Sequence, residues 1–311
     1  MSDRENRHAE SRYQLWALVE RPLRLIRQRF DAGRGLRTNA QLRFGGGVVC
    51  LLGIVAFVGP VLSPYDPTAQ ALGARLEGPS LAHPLGTDAL GRDVATRLVY
   101  GARISLALSV VATLVRLAIG TAIGLLAATG SRLVDTALMR LVDAQLAFPG
   151  LVLALVIAGV LGPSLTNVVI ALSVVGWATY ARVVRGSALA VIDRPYVESA
   201  RLYGTPRRRI VTRHLLPNIA GPVVVLATLN LGTVVLAAAG LSFLGLGAQP
   251  PTAEWGTMIA NGRNYLRSAP WLITAPGAAI ALTVVGFNVL GDGLRDILDP
   301  DHVDDGKRRR T

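Results

Sequence analysis

The chain has 311 residues, of which 51% are apolar and only 17% charged, and its mean hydropathy is +0.44; a soluble domain keeps about a quarter of its residues charged. Thirty-two basic residues, all arginine except Lys307, against 20 acidic ones give a formal charge of +12, which excludes an acidic disordered chain. The single cysteine, Cys50, excludes a disulfide scaffold, and three methionines and four histidines leave little material for a metal site.

Residues 1–43 form a basic tail with ten arginines. Within it Leu15, Leu18, Val19, Leu23, Ile26 and Phe30 share a helical face away from Arg21, Arg24 and Arg27. That pattern suits a helix in an anionic headgroup layer, and Pro22 leaves a disordered basic tail open as the alternative. Apolar blocks follow at 44–62, 104–128, 144–161, 165–181, 219–247 and 271–291, and Arg116 is the one charge inside them. A helix rises about 1.5 Å per residue and must cover a hydrocarbon core about 30 Å thick, so about 17–25 apolar residues make a crossing. Six blocks predict six transmembrane helices in an all-α membrane protein. Buried helices of a soluble core would show polar faces at helical spacing, and these runs show almost none. The leader before the first block is too long for a secretory signal, and Ser63-Pro64-Tyr65-Asp66-Pro67 holds no small-x-small cleavage pattern, so the block reads as an uncleaved anchor. The fifth block is too long for one crossing, and its glycine-spaced end from Gly240 to Gly247 is expected to bend out of the helix near the far surface. With the amino terminus cytoplasmic, 25 basic residues fall on the inside and six on the outside; the bias places both termini in the cytoplasm.

The loop 182–218 is the longest on the inner side and carries helix punctuation. Pro195 fits a first helical position, Tyr196 to Tyr203 a short helix, and Gly204 a left-handed residue beyond its end. Thr205-Pro206 reads as an N-cap followed by a first-turn proline for a second helix running towards Leu216. The result is a helix–glycine–helix elbow joined to two spans, able to transmit force to them. An amphipathic loop lying on headgroups through Arg207, Arg208 and Arg209 is the competing reading from spacing alone.

The residues of the loop resemble the EAA motif of ABC importer permease subunits: Glu198-Ser199-Ala200, three residues, Gly204, nine residues, His214, Leu215, Leu216, Pro217. Ser199 replaces the first alanine of the usual form and His214 its isoleucine; His214 with Leu216, Pro217 and Asn218 is similar to the peptide-importer branch. His83-Pro84-Leu85-Gly86-Thr87-Asp88, Gly91-Arg92-Asp93, Gly101-Ala102-Arg103-Ile104-Ser105, Ala147-Phe148-Pro149, Trp255-Gly256 and Gly291-Asp292-Gly293-Leu294-Arg295-Asp296 are similar to C-type dipeptide and oligopeptide permeases. The resemblance spans 44 to about 300. It implies a type I ABC importer transmembrane domain at 101–293, preceded by the tail 1–43, the first transmembrane helix 44–62 and an extracytoplasmic loop 63–100, and followed by the tail 294–311. It further implies a homologous second permease subunit, two cytoplasmic ATPases that receive the coupling loop, an extracytoplasmic peptide-binding protein, and no nucleic acid. ATP and Mg would be used by those ATPase subunits, because the chain has no phosphate-cradling Gly-x-x-x-x-Gly-Lys-Ser/Thr sequence.

No protease or hydrolase signature occurs, and His83 and His214 are predicted on opposite sides of the membrane, where they cannot share a metal. An ion-coupled carrier is the nearest rival class, since such carriers place ionisable residues within spans. Here only Arg116 qualifies, with Asp143 near the inner end of the third span. Arg116 lies where the family has a small or apolar residue. It is expected to line the path and meet a peptide carboxylate, to pair with a carboxylate of the partner permease, or to face a polar groove without a transport role. Arg116, Asp143 and Asn230 are thus the candidate path residues, although Asn230 and Asn288 also fit interhelical hydrogen bonds. Gly120 and Gly124 have the spacing of a close helix contact. The cargo is expected to be a dipeptide or oligopeptide and specificity to rest largely with the binding protein, with nickel chelates or glutathione as alternatives for the same importer type.

Overall fold

The computed structural model describes residues 39–298, so the amphipathic tail pattern and Lys307 lie outside the described residues. The architecture is all-helical: α1 Ala40–Leu62, α2 Val94–Thr129, α3 Arg132–Leu146, α4 Gly150–Leu161, α5 Leu165–Ile192, α6 Pro195–Leu202, α7 Arg207–Ile210, α8 Leu216–Phe243, α9 Trp255–Gly262 and α10 Trp271–Leu298. Five stretches are long and apolar enough to cross a membrane; α3 and α4 reach that length and hydropathy only together and are bent by 86°, the form of a broken span or a re-entrant loop.

Some helices outrun their apolar blocks, with polar residues at their ends. Asp93 starts α2 well upstream of residue 104, its Oδ1 accepting the Thr96 N–H at 2.7 Å, while Oδ2 lies 2.9 Å from His83 Nδ1. The resulting 36-residue helix is roughly 54 Å long, far more than a bilayer needs. Helix α5 likewise continues past residue 181 to Ile192, which shortens the connection expected over 182–218. The block 144–161 does not form one straight rod. Phe148 bonds back only to Gln145 O (3.3 Å), and Pro149, which has no N–H to donate, stands at the N-cap of α4 outside the helical region at ψ 117°. The end of the fifth block does leave its helix: Leu244 terminates α8 and Gly245 turns at φ 87°.

Helix α2 packs against α5, α8 and α1; α10 lies on α1 and α8; α4 rests on α5; and α9 is wedged between α8 and α10. Glycines set the closest of these approaches. A β-carbon at Gly124 would stand 2.6 Å from Ala181 O, and one at Gly120 2.6 Å from Trp177 O, so α2 and α5 meet backbone to backbone. The molecule has two polar ends. At one, Arg207 Nη2 donates to Thr129 Oγ1 (2.7 Å) and Asn39 Nδ2 to Asp296 Oδ2 (3.2 Å). At the other, the Ser164 N–H donates to Leu246 O (3.1 Å) and the loop around His83 meets the start of α2.

Candidate functional site

The elbow stands at the first of these ends. Pro195 occupies the first turn of α6 behind Arg194, and Gly204 has φ 75° with nothing within 4 Å of a built β-carbon. A left-handed residue is required there, and only glycine adopts it without penalty. Thr205 does not cap the next helix. Pro206 holds the N-cap position without a side-chain bond, and Arg207 begins the helix. No break separates this helix from the fifth span: a π-helical turn, Val211–Leu215, joins α7 to α8, closed by the Leu216 N–H on Val211 O. The widened turn precedes Pro217, whose ring and missing N–H would strain a regular helix at that point.

The elbow is fixed to the body by an apolar base. Val197 of α6, Ile210 of α7 and Leu215 of the π turn are buried against Leu125, Val184, Ala188, Val191 and Ile219. The rings of Tyr196 and His214 meet at a tilt of 50° with centroids 5.9 Å apart, so the two arms of the elbow also touch. Opposite this base, Glu198, Ser199, Gly204, Leu216 and Pro217 are exposed, Ala200 and His214 half-buried, and the Ser199 hydroxyl bonds to Pro195 O at 2.9 Å. Leu202 and Tyr203, 83% and 90% exposed, project at the tip. The motif had drawn attention to Leu216, but Leu215 is the leucine that anchors. The adjacent pair Leu202-Tyr203 just before Gly204 was the available signal for the apolar tip.

The path candidates separate. Arg116 and Asn230 line one cavity of about 380 Å³, together with Gln145, Thr179, Thr233 and Phe148. Asp143 is not among them: it is exposed and pairs with Arg182 Nη2 at 2.5 Å. Asp143 and Gln145 stand two residues apart on α3, about 200° around the helix, so the glutamine faces the cavity and the carboxylate the opposite side. Arg116 is buried, its Nε donating to Leu172 O at 2.7 Å, and its guanidinium lies over Gly176, where any β-carbon would collide with it. Gln145 Nε2 donates to Val174 O (2.5 Å) and Val175 O (2.8 Å), fixing the end of α3 on α5 beside the break. Asn230 bonds within its own helix, to Leu226 O (2.9 Å), rather than between helices, and Asn288 is exposed. No group of three or more His, Cys, Asp or Glu residues that could hold a metal occurs among the described residues.

Long apolar spans around a cavity lined by Arg116 and Asn230, with an elbow at one end, suit the membrane subunit of a transporter. Residues 120–302 match the family model described as binding-protein-dependent transport system inner membrane component, and residues 28–79 match the N-terminal TM domain of oligopeptide transport permease C. The chain is 41% identical over 270 residues to a dipeptide transport system permease protein, DppC, of Alkalihalophilus pseudofirmus, covering 87% of this chain and 89% of that one. It is 43% identical to a di/tripeptide permease protein, DppC, of Pseudomonas aeruginosa (82% and 87% covered) and 44% identical to a glutathione permease protein, GsiD, of Pectobacterium atrosepticum (86% and 89% covered). Its fold is similar to that of a chain of the MetNI methionine ABC transporter in an inward-facing conformation, with a TM-score of 0.53 at 21% identity, covering 64% of this chain and 95% of that one. The chain belongs to the family of binding-protein-dependent transport system inner membrane components. It is a multi-pass permease of the inner membrane, non-catalytic itself, and works with a binding protein and with ATPase subunits that carry out the hydrolysis.

Proposed function

We propose that this chain is one half of a heterodimeric peptide importer, paired with a homologous permease, and that its elbow is the cytoplasmic seat of an ATPase subunit. The observation that carries this reading is the elbow's construction. Its exposed face, Glu198 to Gly204, sits on a buried base, and its arms lead into α5 and α8 through one short connection and one continuous helix. A push on Leu202 or Tyr203 is therefore delivered to two spans that line the Arg116 cavity. Alternating access follows if ATP-driven closure of the motor tilts those spans against the partner subunit. Peptide cargo is favoured by the relatives named for dipeptides and di/tripeptides; glutathione, named for another relative, is the second reading.

The test is substitution at Gly204 in the assembled importer. Valine is β-branched and strained at φ 75°, by about 1–2 kcal/mol, whereas asparagine tolerates that conformation. Gly204→Val should lower uptake of a labelled dipeptide by about tenfold with unchanged amounts of chain in the membrane, and Gly204→Asn should remain near wild type. Equal uptake in both variants would remove the elbow from the coupling route.

A further inference from the structure

We infer that the cavity at Arg116 is a carboxylate-binding station in the transport path, taking the C-terminal carboxylate of a peptide in transit; the inference rests on the peptide-importer reading above. Arg116 is 7% exposed, and Nε–Leu172 O is its one hydrogen bond among the described residues. The ion pairs of the described residues lie at His83, Arg92, Arg97, Arg182 and Arg185, so no described carboxylate neutralises Arg116. A guanidinium has five N–H donors in a fork that matches a carboxylate bidentately. Here the terminal nitrogens remain for a ligand in the cavity that the side chain lines.

A second, separate feature points the same way. Helix α4 starts at the edge of this cavity, where Gly150 and Leu151 line it, and Pro149 gives its N-terminus no side-chain cap. The first backbone N–H groups of a helix have no partner within it and carry its positive end. A helix interrupted at membrane depth is tolerated where it lines a cavity, and half-helix N-termini in transporters face anionic groups. Two positive elements thus converge on one space whose lining contains no acidic side chain. Asn230, Thr179 and Thr233 add neutral polar groups suited to a peptide backbone. The volume, about 380 Å³, lies in the range of roughly 300–1,000 Å³ typical of small-ligand sites. A carboxylate of the partner permease is the weaker occupant, because the guanidinium is sunk between α2 and α5 against Gly176 instead of standing on an outer face.

The experiment uses the complete importer in vesicles, with the binding protein saturated by either a dipeptide or its C-terminal amide. Wild type should carry the free acid at least about tenfold faster than the amide, the scale of one charge-assisted contact. Arg116→Gln should bring that ratio close to one by slowing the acid alone, and Arg116→Lys should restore part of it. Gly176→Ala should act like Arg116→Gln, because its methyl displaces the flexible end of the arginine and not a backbone. Stimulation of ATP hydrolysis by the loaded binding protein should persist in all three. An acid-to-amide ratio equal in wild type and Arg116→Gln overturns the inference. So does loss of the second permease on purification of Arg116→Gln alone, which would assign Arg116 to the subunit interface. If wild type carries neither form, the peptide reading itself falls, a result read from the wild-type measurement without any variant.

Discussion

Glu254 shows what a single buried acid does in this molecule. It is 1% exposed; Oε1 accepts the Gly256 N–H (3.0 Å) and the Ser105 hydroxyl (3.2 Å), and Oε2 accepts the Thr257 N–H (2.9 Å). The carboxylate thus caps α9 and ties it to α2, while Trp255 Nε1 reaches Leu98 O at 2.9 Å. Replacing it by alanine leaves those buried donors without a partner, a loss of about 1–3 kcal/mol. Glu254→Ala should lower the thermal unfolding midpoint of the detergent-solubilised chain clearly, and Glu254→Gln, which keeps one acceptor oxygen, by less. Equal midpoints for all three would show that the cap carries no stability. None of this was legible beforehand: the sequence drew attention to Trp255-Gly256 through resemblance, but a glutamate is not among the favoured N-caps, and nothing in the spacing announces that its side chain is enclosed.

At the scale of elements, glycine spacing was readable where it was regular and not elsewhere. Gly120 and Gly124 stand one turn apart, and the close contact expected from them is found between α2 and α5. On α1, Gly45, Gly46 and Gly47 are consecutive; a β-carbon on Gly45 would meet the backbone of Leu290, whereas the other two face open space. Adjacent glycines carry no periodicity, so the face that touches α10 could not be chosen. The contrast gives a paired prediction. Gly124→Ala puts a methyl 2.6 Å from the carbonyl oxygen of Ala181, and that overpacking should destabilise by about 1–3 kcal/mol. Gly53→Ala meets nothing within 4 Å and should be neutral or stabilising by up to about 1 kcal/mol. Thermal unfolding of the two variants side by side checks the sign. The bend between α3 and α4 escaped for a different reason. Hydropathy counts apolar residues without direction, so the 144–161 block has the length of a span, while Pro149, part of the Ala147-Phe148-Pro149 motif, also stops the helix.

For the whole molecule, five of the six apolar blocks correspond to a long apolar helix and the sixth falls in the bent pair α3–α4, because the cost of leaving backbone groups unpaired in hydrocarbon forces helices there. Block length placed helix ends poorly, because outside the hydrocarbon caps decide them, as Asp93 does for α2. The orientation in the membrane rests on how arginines divide between the two polar ends. The elbow end carries Arg194, Arg201, Arg207, Arg208, Arg209 and Arg213 within one short stretch. The opposite end carries six basic residues in all, Arg75, Arg92, Arg97, Arg103, Arg263 and Arg267, spread over two separate segments, whereas the elbow end adds Arg132, Arg140, Arg182, Arg185 and Arg295 to its cluster; Arg92 and Arg97 stand 2.6 Å and 3.6 Å from the Asp88 carboxylate. The positive-inside rule therefore puts the elbow in the cytoplasm and the loop around Leu81 outside. A thiol assay decides this. With Cys50→Ala removing the native cysteine, Leu81→Cys, fully exposed, should react with a membrane-impermeant maleimide added to intact cells. Ser199→Cys, exposed on the elbow, should react only after the membrane is opened. The reverse pattern would set the elbow on the side where no nucleotide-driven motor works, and would remove the coupling assignment along with the orientation.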